Sequence, residues 1–200
     1  MLSDFTKTSL ITMPLLAELS ISNYLSSIAE KKSVPGGGAV AAIVGAEACA
    51  LQAKVAIFSS NSEVTAIFEK SIESQKKFLE LAEKDSKAFL ALMNTKKESE
   101  NHEELLIEAA RVPVEVLSIC HLQVSTLEAL LKLGNKNLVS DIGVSALLLI
   151  SSIRSSLLNI RINTKSIKNV PEDILQAELL AKKALKELES LSLAVEDAVS

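Results

Sequence analysis

The scarcity of turn-forming residues is the feature that most restricts what this chain can fold into. Its 200 residues contain only four prolines and six glycines, too few for the frequent turns of an all-β fold. Apolar residues make up 48% of the chain, yet aromatic residues account for only 3% and tryptophan is absent. A core of Leu, Ile, Val and Ala suits closely packed helices better than packed sheets. The sequence therefore predicts an all-α fold.

Breaks in the helical pattern divide the chain into a bundle of about six helices. The predicted helices cover about 22–31, 38–58, 63–93, 103–133, 137–163 and 171–199. The fourth predicted helix contains Pro113, so a kink is expected near Arg111. Residues 1–19 are expected to form a loosely ordered leader or a short first helix. With no linker or internal repeat, residues 1–200 are predicted to form a single domain.

Composition also argues against several classes of function. The longest charge-free run, residues 33–46, is shorter than the roughly 20 residues of a membrane-spanning helix, so no membrane contact is expected. A net charge of −4 without a basic block argues against nucleic acid. Cys49 and Cys120 lack motif spacing and are expected to be reduced core thiols of a cytoplasmic protein without a secretory signal. His102 and His121 lack the spacing of a di-iron bundle, so no metal site is predicted.

Asp85 is a charged residue on an otherwise apolar helix stripe. It follows Leu81 and Ala82 and precedes Ala88 and Phe89, at spacings of three or four residues that share one helix face. A buried carboxylate is costly unless it is paired or hydrogen-bonded. Two interpretations follow. Asp85 is either a structural carboxylate at the edge of the stripe or a cavity-facing group with a shifted pKa that transfers protons.

A glycine-rich turn, residues 35–38, leads into the second predicted helix. Without side chains in the way, its backbone N–H groups could bind a phosphate or carboxylate, or a flat ring could lie against the backbone. The alternative is simply a tight turn into a closely packed helix. The segment is neither a P-loop nor a dinucleotide-binding fingerprint, because no Lys-Ser/Thr follows and no strand precedes it.

Three polar residues lie on the apolar fifth helix. Asp141 is in its first turn, where a carboxylate commonly offsets the helix dipole in a purely structural role. Asn159 and Asn163 are one turn apart and could offer amide donors and acceptors to a planar heterocycle. Helix caps or bonds between helices explain the same spacing equally well.

Taken in order, five segments of the chain resemble the cyclodeaminase/cyclohydrolase family. This family includes the C-terminal half of formiminotransferase-cyclodeaminase and stand-alone bacterial proteins, some linked to methenyltetrahydrofolate cyclohydrolase activity. The resemblance covers roughly residues 20–195, and it is the ordered set that is specific. The segments are Pro35-Gly36-Gly37-Gly38-Ala39-Val40-Ala41-Ala42, Asp85-Ser86-Lys87-Ala88-Phe89, Val112-Pro113-Val114, residues 134–141 and Asn159-Ile160-Arg161-Ile162-Asn163.

The resemblance implies an all-helical homodimer that binds a tetrahydrofolate one-carbon derivative as substrate and holds no permanent cofactor or metal. A cyclodeaminase, of the ammonia-lyase type, closes formimidoyltetrahydrofolate to methenyltetrahydrofolate with loss of ammonia. A cyclohydrolase interconverts methenyl- and formyltetrahydrofolate with water. Both pass through a tetrahedral carbon between two nitrogens, which requires proton transfer and positioning. The alternative is a non-catalytic folate or metabolite binder of the same family.

The resemblance also implies roles for individual residues. Asp85 falls on the family's acidic residue before Ala-Phe and would be the general acid/base. Asp141 would be a second carboxylate that orients the substrate or balances the cationic amidine. Lys136 or Lys165 would be available to the glutamate tail. The full set of substrate-binding residues expected in this way is Pro35, Gly36, Gly37, Gly38, Asn135, Asn137, Asn159, Asn163 and Lys165.

Overall fold

The computed structural model describes residues 14–199, which form six α-helices and no strand. The all-α prediction and the number of helices are therefore confirmed over these residues. Most of the predicted leader, residues 1–13, lies outside the described part, and residues 14–19 contain only the short 3-10 helix Leu16–Glu18. The helices are α1 (Ile21–Ala29), α2 (Gly37–Ile57), α3 (Ser62–Met93), α4 (His102–Leu133), α5 (Val139–Thr164) and α6 (Glu172–Val199).

The helix starts differ from the prediction by one or two residues, and side-chain capping explains two of the differences. Ser20, not Ser22, is the N-cap of α1, and its hydroxyl accepts a bond from the backbone N–H three residues on. Asn61, not Ser62, is the N-cap of α3 and accepts from the N–H of Glu63 at 2.8 Å. A cap residue supplies an acceptor to N–H groups that have no partner inside the helix.

The central helix is α2, which packs against α3, α4 and α5. Its small residues permit close approach: a Cβ added to Gly45 would overlap the ring of Phe78 on α3. This packing places the Ala- and Gly-rich helix in the middle of the bundle. The buried apolar cluster draws on α2 through α6, and the single-domain prediction stays a prediction.

Buried serines join α5 to α2. Ser145 Oγ donates to the carbonyl of Ala48 at 2.9 Å, and Ser152 Oγ donates to the carbonyl of Ala41 at 2.7 Å. Because the later serine meets the earlier alanine, the two helices are antiparallel. The start of α2 therefore lies beside the end of α5.

Pro113 lies inside α4, which continues through it as one α-helix. A proline cannot donate to the carbonyl four residues earlier, here that of Ala109, and leaves it without its helical partner. Asn163 on α5 supplies the missing donor: its Nδ2 donates to the Ala109 carbonyl at 2.9 Å. The interruption of one helix is thus repaired by a side chain of another.

Two segments are long and apolar enough to cross a membrane by length and hydropathy alone. They are α2 and Lys136–Thr164, with 56% and 44% of their most apolar window buried in the fold. Neither segment is one uninterrupted charge-free run of that length, so the charge pattern of the sequence did not predict them. A core helix of a folded bundle has the same composition, and α2 occupies that position. The absence of membrane contact stays a prediction.

Candidate active site

The first turn of α2 is capped by a side chain from another helix. Its own N-cap residue, Gly36, has no side chain to offer. The carboxylate of Asp85, near the end of α3, lies there instead and accepts a hydrogen bond from the backbone N–H of Ala39. A Cβ on Gly38 would collide with this carboxylate. The glycine is therefore needed for close approach, and its φ angle is not positive.

Burial raises the pKa of the Asp85 carboxyl above its ordinary value of 3.8, and the bond from Ala39 partly offsets the shift. Desolvation disfavours the charged form, whereas an N–H donor stabilises it. The positive end of the α2 dipole is at the same place. Asp85 is thus a carboxyl group that holds a proton more readily than a surface aspartate does. This environment suits a general acid/base.

Asn159 on α5 lies on the other side of the glycine turn. A Cβ added to Gly37 would be 3.8 Å from its Oδ1 and 3.9 Å from its Nδ2. The Nδ2 group donates to the Ser155 carbonyl at 2.9 Å. The structure therefore brings together Asp85, Asn159 and the glycine turn, three features that the sequence analysis selected separately.

Ser156 was missed by the sequence analysis. It is fully buried, and its Oγ has no hydrogen-bond partner. It lies one turn beyond Ser152 on the α5 face that meets α2, at the level of the first turn of α2. The signal in the sequence was its position three residues before Asn159. A serine within an apolar helix is common, so the spacing alone could not single it out.

A cavity of about 730 Å³ opens next to this turn, within the usual size range of small-molecule sites. Pro35 forms part of its wall on one side, and Ser86 and Lys87 form part of it on the other. Asp85 directly precedes Ser86 in the chain, but its side chain is not among the groups that line this cavity. Lys87 brings a positive charge to the cavity, and sequence reasoning missed it.

Asp141 is at the opposite end of the bundle from Asp85. Its carboxylate forms an ion pair with Lys54 Nζ at 2.9 Å. Lys54 is near the end of α2, whereas Gly38 is near its beginning. At 1.5 Å per residue these positions are about 24 Å apart. Within one chain, the two predicted catalytic carboxylates do not share a site.

Asn135 and Asn137 also lie at the Asp141 end, where they shape a loop. The backbone N–H of Asn135 donates to Ser59 Oγ, and its Nδ2 donates to the Phe58 carbonyl, both at 2.9 Å. Its Oδ1 accepts from the N–H of Asn137 at 3.0 Å. These bonds connect the chain before α5 to the end of α2.

The last two predicted binding residues lie beyond Asn159 on α5. The Nδ2 of Asn163 donates a hydrogen bond to the Ala109 carbonyl of α4, so within one chain this side chain has a structural role. Lys165 is the exposed C-cap residue of α5. Both are on the same end of the bundle as the glycine turn.

Metal and thiol chemistry find little support in the described residues. Between residues 14 and 199, no group of three or more His, Cys, Asp and Glu side chains is placed to hold a metal ion. Cys49 and Cys120 are buried free thiols, and burial raises the pKa of each. A thiol with a raised pKa is a poor nucleophile, because the thiolate is the reactive form. The chemistry available at the glycine turn is that of carboxyl and amide groups.

The fold is an all-helical bundle, and its candidate site is a buried carboxyl group against a glycine turn. Such a site is suited to acid/base chemistry. A family model described as formiminotransferase-cyclodeaminase matches residues 20–182, and the chain belongs to this family. It is 28% identical over 191 residues to the methenyltetrahydrofolate cyclohydrolase of Methylorubrum extorquens, covering 86% of this chain and 88% of that protein. It is also similar to the crystal structure of formiminotetrahydrofolate cyclodeaminase from Thermotoga maritima. The TM-score is 0.74 at 35% identity, covering 92% of this chain and 93% of that one.

Proposed function

We propose that this protein is an enzyme acting on the one-carbon bridge of a tetrahydrofolate derivative, as a formimidoyltetrahydrofolate cyclodeaminase or a methenyltetrahydrofolate cyclohydrolase. The observation that carries the proposal is the Asp85 carboxyl group, held against Gly38 with its pKa raised by burial. The names of the two relatives support the substrate class. Both reactions need a group that can give and take a proton at a carbon between two nitrogens.

In the deaminase reaction, N10 attacks the formimidoyl carbon on N5, and the tetrahedral carbon then loses ammonia. The protonated Asp85 carboxyl would donate to the leaving nitrogen. In the hydrolase reaction, water adds to the methenyl carbon and one carbon–nitrogen bond breaks. The Asp85 carboxylate would accept the proton of the attacking water and return it to the departing ring nitrogen. Because burial raises the pKa of Asp85, its protonated form is easier to reach than that of a surface aspartate.

Positioning would come from the groups around Asp85. The absence of side chains at Gly36, Gly37 and Gly38 lets a planar ring approach the backbone of α2. Asn159 offers an amide beside the same turn. The methenyl carbon and its two nitrogens carry a positive charge, which an ionised Asp85 stabilises. Lys87 is in a cavity wall that also carries Glu18 and Glu83, and it would supply the positive charge there for a carboxylate of a glutamate tail.

We also propose that the enzyme is a cytoplasmic homodimer without a permanent cofactor or metal. The buried free thiols suit a reducing compartment. The carboxyl and amide groups of the site suffice for proton transfer without a resident metal. Asp141 stays a proposed second catalytic carboxylate, and Asn135, Asn137, Asn163 and Lys165 stay proposed substrate-binding residues.

A second candidate function is non-catalytic binding of a folate or related metabolite. The bond from Ala39 to Asp85 favours it, because it gives the carboxylate a structural role as the cap of α2. A chain that needed Asp85 only as a cap would keep the same fold and turn.

Near-ultraviolet absorbance of methenyltetrahydrofolate separates the candidates. Purified protein is added to methenyltetrahydrofolate in one experiment and to formimidoyltetrahydrofolate in another. Faster loss of the band than in buffer identifies a cyclohydrolase, and appearance of the band identifies a cyclodeaminase. If the folded protein changes neither rate but binds the ligand, it is a binder and the enzymatic proposal is wrong.

A further inference from the structure

One side of the cavity beside the glycine turn is formed by the segment that precedes α1. The 3-10 helix Leu16–Glu18 packs against α3, where the backbone N–H of Leu16 donates a hydrogen bond to the carboxylate of Glu83. Pro14 and Leu15, together with Leu16, line the cavity from this side. The bond from Leu16 therefore holds the Glu83 carboxylate where the segment meets α3, in the wall of the cavity.

The charged residues of this cavity wall are more acidic than basic. Glu83 and Lys87 come from α3, and Glu18 comes from the segment before α1. Among the described residues, no other charged side chain lines the cavity, and most of the remaining wall is apolar, as at Pro35 and Leu90. One positive and two negative charges leave the wall negative. The cavity therefore suits an apolar group that carries a single carboxylate better than a chain of carboxylates.

A folate whose ring lies at the glycine turn would extend its tail into this cavity. Pro35 belongs both to the turn and to the cavity wall, and Ser86 of the same wall directly follows Asp85 in the chain. The aminobenzoyl group of a folate is largely apolar and ends in one glutamate. In a polyglutamate form, further glutamates are joined through the side-chain carboxyl group, and each of them adds one carboxylate.

We propose that Glu18 and Glu83 make the site selective for a folate with one glutamate over its polyglutamate forms. This selectivity rests on the proposed function, because it requires a folate at the glycine turn. Lys87 pairs with a carboxylate of the first glutamate, which both forms carry, so it does not discriminate between them. The additional carboxylates of a polyglutamate meet Glu18 and Glu83, and the like charges repel. Such repulsion gives specificity by weakening the binding of the wrong ligand.

The quantity that tests the selectivity is the ratio of kcat/KM for a triglutamate substrate to kcat/KM for the monoglutamate. Both values come from the methenyltetrahydrofolate absorbance with one protein preparation, so the ratio does not depend on the fraction of folded enzyme. The wild type should give a ratio below one. Glu18→Gln and Glu83→Gln should each raise the ratio about two- to fivefold, the effect of one partly exposed charge. Glutamine at position 83 keeps an oxygen that can accept from Leu16.

Glu69→Gln is the matched control. Glu69 is an exposed acidic residue on the same helix as Glu83, about 21 Å away along the axis at 1.5 Å per residue. This separation exceeds the Debye length of about 10 Å at 0.1 M salt, so the control removes an equal charge and should leave the ratio unchanged. Salt gives a second readout on the wild type. Because about 1 M salt shortens the Debye length to roughly 3 Å, it should bring the ratio closer to one.

The outcomes separate this selectivity from the proposed function. A wild-type ratio above one, or a ratio that neither Glu18→Gln nor Glu83→Gln raises, overturns the selectivity but leaves the enzymatic function intact, since both substrates are then turned over. An equal rise in Glu69→Gln assigns the effect to the net charge of the protein and overturns the selectivity as well. If the wild type neither turns over nor binds either substrate, the proposed function fails and the selectivity fails with it.

Discussion

At the scale of single residues, Asp85 combines two requirements that usually conflict. It caps the N-terminus of α2 by accepting from Ala39, and it carries a pKa raised by burial. Capping favours the ionised form, whereas burial favours the protonated form. The stronger effect of burial leaves the carboxyl group ready to exchange a proton.

Asp85→Asn should separate the two roles. The amide oxygen can still accept from Ala39, so the fold is expected to persist, while general acid/base activity should fall about 10²–10⁴-fold. Activity is measured by the methenyltetrahydrofolate absorbance and folding by circular dichroism. A folded variant with wild-type activity would exclude the proton-transfer role.

The raised pKa of Asp85 also predicts a pH dependence of stability. The folded state binds this proton more tightly than the unfolded state, whose pKa is near 3.8. Stability from this group is therefore full below that value and is lost as the pH rises through the folded pKa. Urea unfolding of wild type against Asp85→Asn should show the wild type losing stability relative to the variant over this range. The opposite trend would mean that capping outweighs burial.

Gly38→Ala tests the close approach of α2 to α3. The added Cβ collides with the Asp85 carboxyl group, so it should displace this group and lower kcat/KM at least about tenfold. The matched control is Gly36→Ala, where the nearest atom to a new Cβ is the Ser33 carbonyl oxygen at 3.9 Å. That variant leaves the Asp85 carboxyl group in place, so any loss should fall on KM and leave kcat unchanged. Equal losses in the two variants would contradict a specific contact at residue 38.

At the scale of elements, α4 and α5 are connected by the repair of a proline defect. Pro113 leaves the Ala109 carbonyl without its helical donor, and Asn163 fills the gap. Sequence reasoning identified Pro113 as a disturbance and Asn163 as a binding residue, but it treated them separately. Their relation depends on the packing of two helices some fifty residues apart in the chain.

A double-mutant cycle tests this relation. Asn163→Ala should cost about 1–3 kcal/mol, because it leaves a buried carbonyl unpaired. In a Pro113→Ala background the residue at position 113 regains an N–H that can bond the Ala109 carbonyl, so the same change should cost clearly less. Stability is measured by urea unfolding. Identical costs in both backgrounds would show that Asn163 stabilises the fold in another way.

At the scale of the whole molecule, the predicted site residues fall at two ends of one bundle. The glycine turn, Asp85 and Asn159 are at one end, and Asp141 is about 24 Å away beside Lys54. The Lys54–Asp141 ion pair is only partly buried, so its contribution to stability is small.

Removal of either partner of that ion pair distinguishes structure from function. Asp141→Asn and Lys54→Met both break it, and each should cost at most about 1 kcal/mol of stability. If Asp141 serves the substrate, its variant loses kcat/KM while Lys54→Met stays within about threefold of wild type. Equal activity losses would assign the effect to the ion pair.

The sequence by itself determined those features that depend on residues close together in the chain. Few turn residues, a core of aliphatic side chains and periodic apolar stripes sufficed for the all-α fold and the approximate helices. Asp85 and the glycine turn before α2 marked two parts of the candidate site. Each could be recognised because it departs from the residue pattern of its immediate neighbours in the chain: a charge on an apolar stripe, and three glycines in a chain with few of them.

Only the tertiary structure decided which of these unusual residues lie close together. The antiparallel packing of α2 with α3 and α5 placed Asp85 and Asn159 at the same turn and sent Asp141 to the other end. It also revealed Ser156, whose buried hydroxyl lacks a partner. Distances between helices depend on how their surfaces fit, and no local pattern carries that information. The periodicity of a helix says which residues share a face, and only packing says what that face touches.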